Sequence, residues 1–143
     1  MKEILLVEDN GAIASDLAVE LKKIGIVVHK AYSYLSAVGM WKKYKNTLLC
    51  IILDLNINPE GLSPKDNSKY YPVNALSFLE NIGWINDNCI VNNNIDLIIY
   101  SGYINELKDV CVKYNLSLKN VKYLDKKNNS VIKLVKDINN IVK

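Results

Sequence analysis

Residues 48–56 read Leu48-Leu49-Cys50-Ile51-Ile52-Leu53-Asp54-Leu55-Asn56: an unbroken apolar run that ends on a carboxylate. A run of this length and kind is a strand covered on both faces, as in a parallel sheet flanked by helices. Working outward, the same form recurs. Ile4 to Val7 is bounded by Glu3 and by Glu8-Asp9, Ile26 to Lys30 is β-branched at its start, Ile95 to Tyr100 runs into Ser101, and Val121 to Leu124 runs into Asp125-Lys126.

Helical spacing fills the gaps. Ile13, Leu17, Leu21 and Ile24 form one stripe, stopped by Gly25. Ser33 is placed as the N-cap of a second helix through Leu35, Val38, Trp41 and Tyr44. Leu76, Leu79 and Ile82 mark a third, stopped by Gly83; Leu107, Val110, Cys111 and Tyr114 mark a fourth; Ile132, Val135, Ile138 and Val142 mark a fifth. An Asn-rich connection, Asn86 to Asn94, precedes the fourth strand. Strands alternating with helices predict an α/β, doubly wound, five-stranded parallel sheet with five helices. In such a sheet the strand order reverses once, and a crevice opens there beyond the carboxyl ends of the strands. Residues 57–72 interrupt the rhythm, because Pro59, Pro64 and Pro72 all fall there beside Gly61, Asp66, Asn67 and Ser68. The segment reads as a long loop within one domain spanning 1–143, and loops of that length often carry function.

Composition narrows the classes. The chain has 143 residues, half of them hydrophobic, and a net charge of +3 from 18 lysines against 15 acids. No apolar run approaches the roughly 18 residues a membrane span needs, and the start lacks the basic, then apolar, pattern of a signal peptide; the expectation is a cytoplasmic protein. Weak net charge and the absence of arginine argue against direct nucleic-acid binding. Cys50, Cys89 and Cys111 are odd in number and widely spaced, so they offer neither a disulfide framework nor a metal pair; Cys50 and Cys111 read as small buried hydrophobes. His29 is the single histidine and reads as a strand residue with one polar edge. The nineteen asparagines and the replacement of arginine by lysine are compositional drift.

The strand ends carry the chemistry. Glu8 and Asp9, Asp54, Ser101 and Lys126 all fall at carboxyl ends of predicted strands. Three acids gathered at one edge repel one another and call for a counter-charge. A hard divalent cation such as Mg²⁺ takes oxygen ligands of this kind and leaves positions for water or a phosphate oxygen. The Lys126 ammonium and the Ser101 hydroxyl can serve a phosphoryl group, and Asp54 can attack phosphorus as a carboxylate nucleophile.

With ILLVEDN, IILDLN, IIYSG and YLDKK in that order, the chain resembles the receiver domain of bacterial two-component response regulators over essentially its whole length. The resemblance implies a flavodoxin-like strand order 2-1-3-4-5. Asp54 would be the phosphoacceptor, with Mg²⁺ held by Glu8, Asp9, Asp54 and the backbone carbonyl of Asn56. Ser101 and Lys126 would hold the phosphoryl group. Ser101 and Tyr123 would be the switch pair, and the face of the fourth helix, fifth strand and fifth helix would meet a downstream protein. The phosphoryl group would come from a sensor histidine kinase or a histidine phosphotransfer protein. The chain would be no enzyme beyond its own phosphotransfer and autodephosphorylation, with no output domain. A homodimer through that same face rests on analogy alone.

Two departures from the family stand out. Lys127 follows the lysine where the family has proline in a cis bond; a cis bond before a non-proline residue costs about 2.5–4 kcal/mol, so the loop is expected to be trans and Lys126 to be aimed differently. Ala75 stands where the family has glycine, after an insertion of about a dozen residues carrying Tyr70-Tyr71. Those tyrosines could cover the acceptor, dock on a partner or pack on the next helix, and packing is the plainer reading. Two other functions stay open: a pseudo-receiver that binds without being phosphorylated, and an aspartate-nucleophile phosphatase, which usually needs a second acid where Asn56 stands.

Overall fold

The computed structural model describes residues 2–85 and 95–142. The connection at Asn86 to Asn94, with Cys89 in it, lies outside the described residues. The elements are β1 (Lys2–Val7), α1 (Gly11–Lys23), β2 (Ile26–Ala31), α2 (Tyr34–Tyr44), β3 (Leu48–Leu53), α3 (Pro64–Lys69), α4 (Ala75–Asn81), β4 (Asp96–Ser101), α5 (Ile104–Tyr114), β5 (Val121–Asp125) and α6 (Val131–Ile141). The five strands are parallel, in the order β2-β1-β3-β4-β5.

Strand alternation divides the apolar residues between two cores. Leu5, Val7, Ile51, Leu53, Leu97 and Ile99 face the side packed by α2, α4 and α5. Ile4, Leu6, Cys50, Ile52, Ile98 and Leu124 face the side packed by α1 and α6. Successive strand residues point to opposite faces, so each apolar run fills both cores, and each fully buried aliphatic side chain contributes roughly 1.5–3 kcal/mol. The chain reverses direction across the sheet between β1 and β3, so the residues just past these two strands share one crevice.

The second helix starts where the sequence places its cap. Ser33 caps α2 and forms a reciprocal pair with Ser36, and Asn10 accepts from the N–H groups of Ala12 and Ile13 to cap α1. His29 is a strand residue, with Nε2 2.8 Å from Glu3 and its ring stacked on Tyr44.

Three expectations need correction. There are six helices among the described residues rather than five, because Ser63 caps a six-residue helix at Pro64 inside the segment read as loop; proline at the first helical position costs no hydrogen bond. Cys111 is only half-buried, since it sits on α5 at the margin between core and solvent. The two adjacent tyrosines separate: Tyr70 is buried and donates to Glu80 of α4 at 2.7 Å, while Tyr71 is exposed.

The segment after β3 is fastened at several points. Tyr34 N–H donates to Asn58 O at 2.9 Å and Leu35 N–H to Glu60 O at 2.8 Å, so it begins as an added edge against the start of α2. Gly61 has φ +92°, and a Cβ there would lie 2.8 Å from the Leu35 Cβ, so backbone conformation and close approach both require glycine. At its far end the Tyr70 ring meets Tyr114 edge-on at 5.2 Å, and the Tyr114 hydroxyl donates to Lys69 O at 2.8 Å.

On the opposite face Asp137 of α6 is buried, with Lys133 Nζ 3.0 Å from Oδ1 and Lys122 Nζ 3.3 Å from Oδ2. Burial alone would raise this carboxyl, but the two lysines outweigh it and hold its pKa below the ordinary value. A depressed folded-state pKa stabilises the fold above the unfolded pKa, and that stability is lost as pH falls through the folded value. Asp137→Asn is therefore expected to lower the melting temperature at pH 7 and to lose less further stability than the parent on acidification from about pH 5 to pH 3; thermal unfolding across that range checks it.

Candidate functional site

The acids arrive from the two strands at the reversal. Val7 and Leu53 pair in register, so Glu8-Asp9 and Asp54 emerge side by side, and Asp54 N–H donates to Val7 O at 3.0 Å. Glu8 is 3% and Asp54 7% exposed, whereas Asp9 lies open to solvent. One carboxylate oxygen from each of the three lies within 4.8 Å of the others. β4 delivers Ser101, fully buried, and β5 delivers Lys126, whose N–H donates to Ser101 O at 3.1 Å. Strand-end acids, serine and lysine thus meet at one place, as the sequence predicts.

Lys126 binds the cluster together. Its Nζ lies 2.7 Å from Glu8 Oε2 and 3.0 Å from Asp54 Oδ2, and 5.5 Å from the centre of the Tyr100 ring, a further cation–π attraction. The peptide between Lys126 and Lys127 is trans, as expected, yet the lysine is on target. A local turn aims it: Asp125 Oδ1 accepts from Lys127 N–H at 2.8 Å, Asp125 O accepts from Asn128 and Asn129, and the Tyr100 hydroxyl donates to Asn129 O at 3.0 Å.

The remaining polar groups are placed by backbone. Leu55 N–H donates to Asp54 Oδ1 at 2.7 Å and lies 3.3 Å from Ser101 Oγ, which also accepts from Tyr103 N–H at 3.2 Å. Ser101 Oγ is thus met by donors on its acceptor side, which leaves its hydroxyl proton to give to an anion. Asn10 N–H donates to the second Glu8 oxygen at 3.1 Å. Asn56 is half-buried just beyond Asp54. Tyr123 lies on edge strand β5 and is 43% exposed.

The electrostatics are those of crowded acids around one cation. Burial, then the nearby Asp54 charge, raises the Glu8 carboxyl above its ordinary value against the opposing pull of Lys126. The same two causes raise Asp9. Burial opposes the charged form of Lys126, but the hydrogen bond to Glu8 and the charges of Asp54 and Glu8 outweigh it and raise that ammonium. One ammonium offsets one of three negative charges. The donors left over are all oxygens, which suits a hard divalent ion and not a thiophilic one.

Against solved structures, the whole chain superposes on receiver domains. The receiver domain of the hybrid histidine kinase CckA matches with a TM-score of 0.64 at 18% identity, covering 99% of each chain. The fold is that of response-regulator receiver domains. Two more illustrate the receiver fold: a Francisella response regulator 1452 receiver domain, TM-score 0.62 at 19% identity over 99% of this chain and 96% of that one, and a LuxR-family DNA-binding response regulator from Staphylococcus aureus, TM-score 0.65 at 16% identity over the full length of both. No protein-family model matches the sequence, and no curated protein matches it. At such identities the likeness carries the receiver fold, and the residues at the strand ends carry the chemistry.

Sequence reasoning missed three contributors: Asn10, Asn74 and the Leu55 N–H. Nothing in the sequence singles out these two asparagines from the other seventeen, and a backbone amide has no sequence signal.

Proposed function

We propose that this chain is a phosphoacceptor of a two-component pathway, taking a phosphoryl group onto Asp54. The observation that carries the reading is the Lys126 ammonium held between Glu8 and Asp54, beside a buried Ser101 hydroxyl. A nucleophilic carboxylate, a cation and a hydrogen-bond donor at one crevice are what phosphoryl transfer uses.

Glu8, Asp9, Asp54 and the Asn56 carbonyl would hold Mg²⁺. When bound, that ion offsets the negative charge on the phosphoryl oxygens. The Leu55 N–H keeps one Asp54 oxygen fixed. As the Asp54 oxygen–phosphorus bond forms, the phosphorus–nitrogen bond to the donor histidine breaks, and the departing imidazole takes a proton. The donor is a sensor histidine kinase or a histidine phosphotransfer protein. Lys126 and Ser101 then hold the oxygens of the acyl phosphate. Attack by water on phosphorus restores Asp54 and releases inorganic phosphate, so the signal decays without a separate enzyme. Ser101 drawn toward the phosphoryl group and Tyr123 turning inward would alter the α5–β5–α6 face that a downstream protein reads. No helix among the described residues is long and apolar enough to cross a membrane, which is compatible with a cytoplasmic site of action.

The test is incubation with a small acyl-phosphate donor and Mg²⁺, read by intact mass. One phosphoryl group gained, and none in the presence of a chelator, is the expected result. A folded protein that gains none is a binding module. Turnover of a free phosphomonoester would make it a phosphatase instead.

A further inference from the structure

Asn74 sits immediately before α4, where an asparagine ordinarily accepts from the first amides of its own helix. Here it makes no such cap. Its buried carboxamide reaches back across the segment: Oδ1 accepts from Ile57 N–H at 2.9 Å, and Nδ2 donates to Ile57 O at 2.8 Å. Nδ2 also lies 2.9 Å from Asn67 Oδ1 on α3. Next to it, Ala75 N–H donates to Leu55 O at 3.0 Å. One residue thus gives up its local cap in order to clamp the turn that follows Asp54.

The clamp has a direct chemical consequence. The Ile57 N–H and the Asn56 carbonyl belong to a single planar peptide unit. Fixing the direction of that N–H fixes the direction of that carbonyl. Leu55, clamped from the other side by Ala75, supplies the N–H that holds Asp54 Oδ1.

We propose that Asn74 is a positioning residue of the cation site, aiming the Asn56 carbonyl, and that Asn67 couples α3 to it. The proposal rests on the reading above in which that carbonyl is a ligand. Mg²⁺ demands near-ideal octahedral geometry, whereas Ca²⁺ accepts irregular and flexible oxygen sets. A misdirected carbonyl therefore costs Mg²⁺ more than Ca²⁺. A residue that merely stabilises the fold has no reason to discriminate between them.

The experiment is calorimetric titration of the full chain with Mg²⁺ and separately with Ca²⁺. In Asn74→Ala the Mg²⁺ dissociation constant is expected to rise about tenfold, the lower end for losing a group that orients a ligand, while Ca²⁺ weakens less, so the preference for Mg²⁺ falls. Amide exchange at Ile57 is expected to speed up in the same variant. Asn67→Ala keeps both Ile57 hydrogen bonds and is expected to shift the preference in the same direction by a smaller factor; it decides the matter if Asn74→Ala does not fold. An unchanged Mg²⁺-to-Ca²⁺ ratio in a folded variant overturns the positioning role, whether or not stability has dropped. If the parent protein itself takes up no Mg²⁺, the reading of the site fails first and the proposal falls with it.

Discussion

Asp54→Asn is expected to take up no detectable phosphoryl group while remaining folded. Asparagine has the shape of aspartate, and its Oδ1 can still accept from Leu55 N–H, which lies 2.7 Å from Asp54 Oδ1. What it lacks is a nucleophilic oxygen. Of the three acids it is Asp54 that shares a donor, the Leu55 N–H, with the Ser101 hydroxyl; Glu8 is tied to Asn10 N–H and Lys126, and Asp9 lies out in solvent. Phosphorylation that persists in this variant would place the acceptor elsewhere. The substitution should also be felt by the neighbours. The Asp54 charge is the second cause, after burial, of the raised Glu8 and Asp9 values. Both carboxyls should therefore titrate lower in the variant, moving back toward the ordinary range, which carboxyl carbon shifts would read directly.

Lys126→Ala is expected to slow phosphoryl uptake from the same small donor by on the order of 10²–10³-fold, the usual cost of removing one donor aimed at developing charge. It should also weaken the fold at neutral pH. Glu8 is almost fully buried, and without the ammonium its carboxylate keeps, among the described residues, the Asn10 N–H. Stripping the partner from a buried ion costs about 3–5 kcal/mol; Lys126 keeps 21% of its side chain exposed, so the lower end applies. The pH dependence has a definite sign. Lys126 lowers the Glu8 pKa, so its removal raises that value further. A carboxyl with a raised folded-state pKa destabilises when ionised. The deficit should accordingly be greatest at pH 7 and shrink as pH falls through the raised value. A divalent cation should recover part of it by supplying the missing charge. Thermal unfolding at pH 7 and pH 5, with and without Mg²⁺, checks each part.

The sheet was legible because its signal is strong and local. Leu48 to Leu53 cannot be exposed on either face, and the structure divides it between both cores. Once the strands are in order, their ends are in order, so Glu8, Asp9, Asp54, Ser101 and Lys126 could be brought together on paper. α3 was not legible, for it buries no residue of its own and so shows no apolar period; Pro59, Gly61 and Pro64 read as breakers, although Ser63-Pro64 is a sound helix start. The end of α5 carries no glycine either; Asn115 takes the left-handed conformation there with φ 53°. Asn74 shows a different limit. Nothing in its sequence context marks it, and its use comes from the long-range contact to Ile57. The aim of Lys126 without a following proline likewise depends on Asp125 acting as a turn acceptor, a role any strand-end aspartate could have.

Tyr70 has a consequence for how this chain can be shortened. Its ring belongs to the same apolar core as Phe78 and Leu53, so the stretch between Pro59 and Pro72 is not an ornament that can be clipped off. Excision would leave a hollow the size of an aromatic ring, worth about 3–5 kcal/mol by analogy with truncating a buried phenylalanine. A trimmed version needs a bulkier side chain from α4 or α5 to plug the gap. Gain or loss of the stretch and repacking of those two helices would have to happen together.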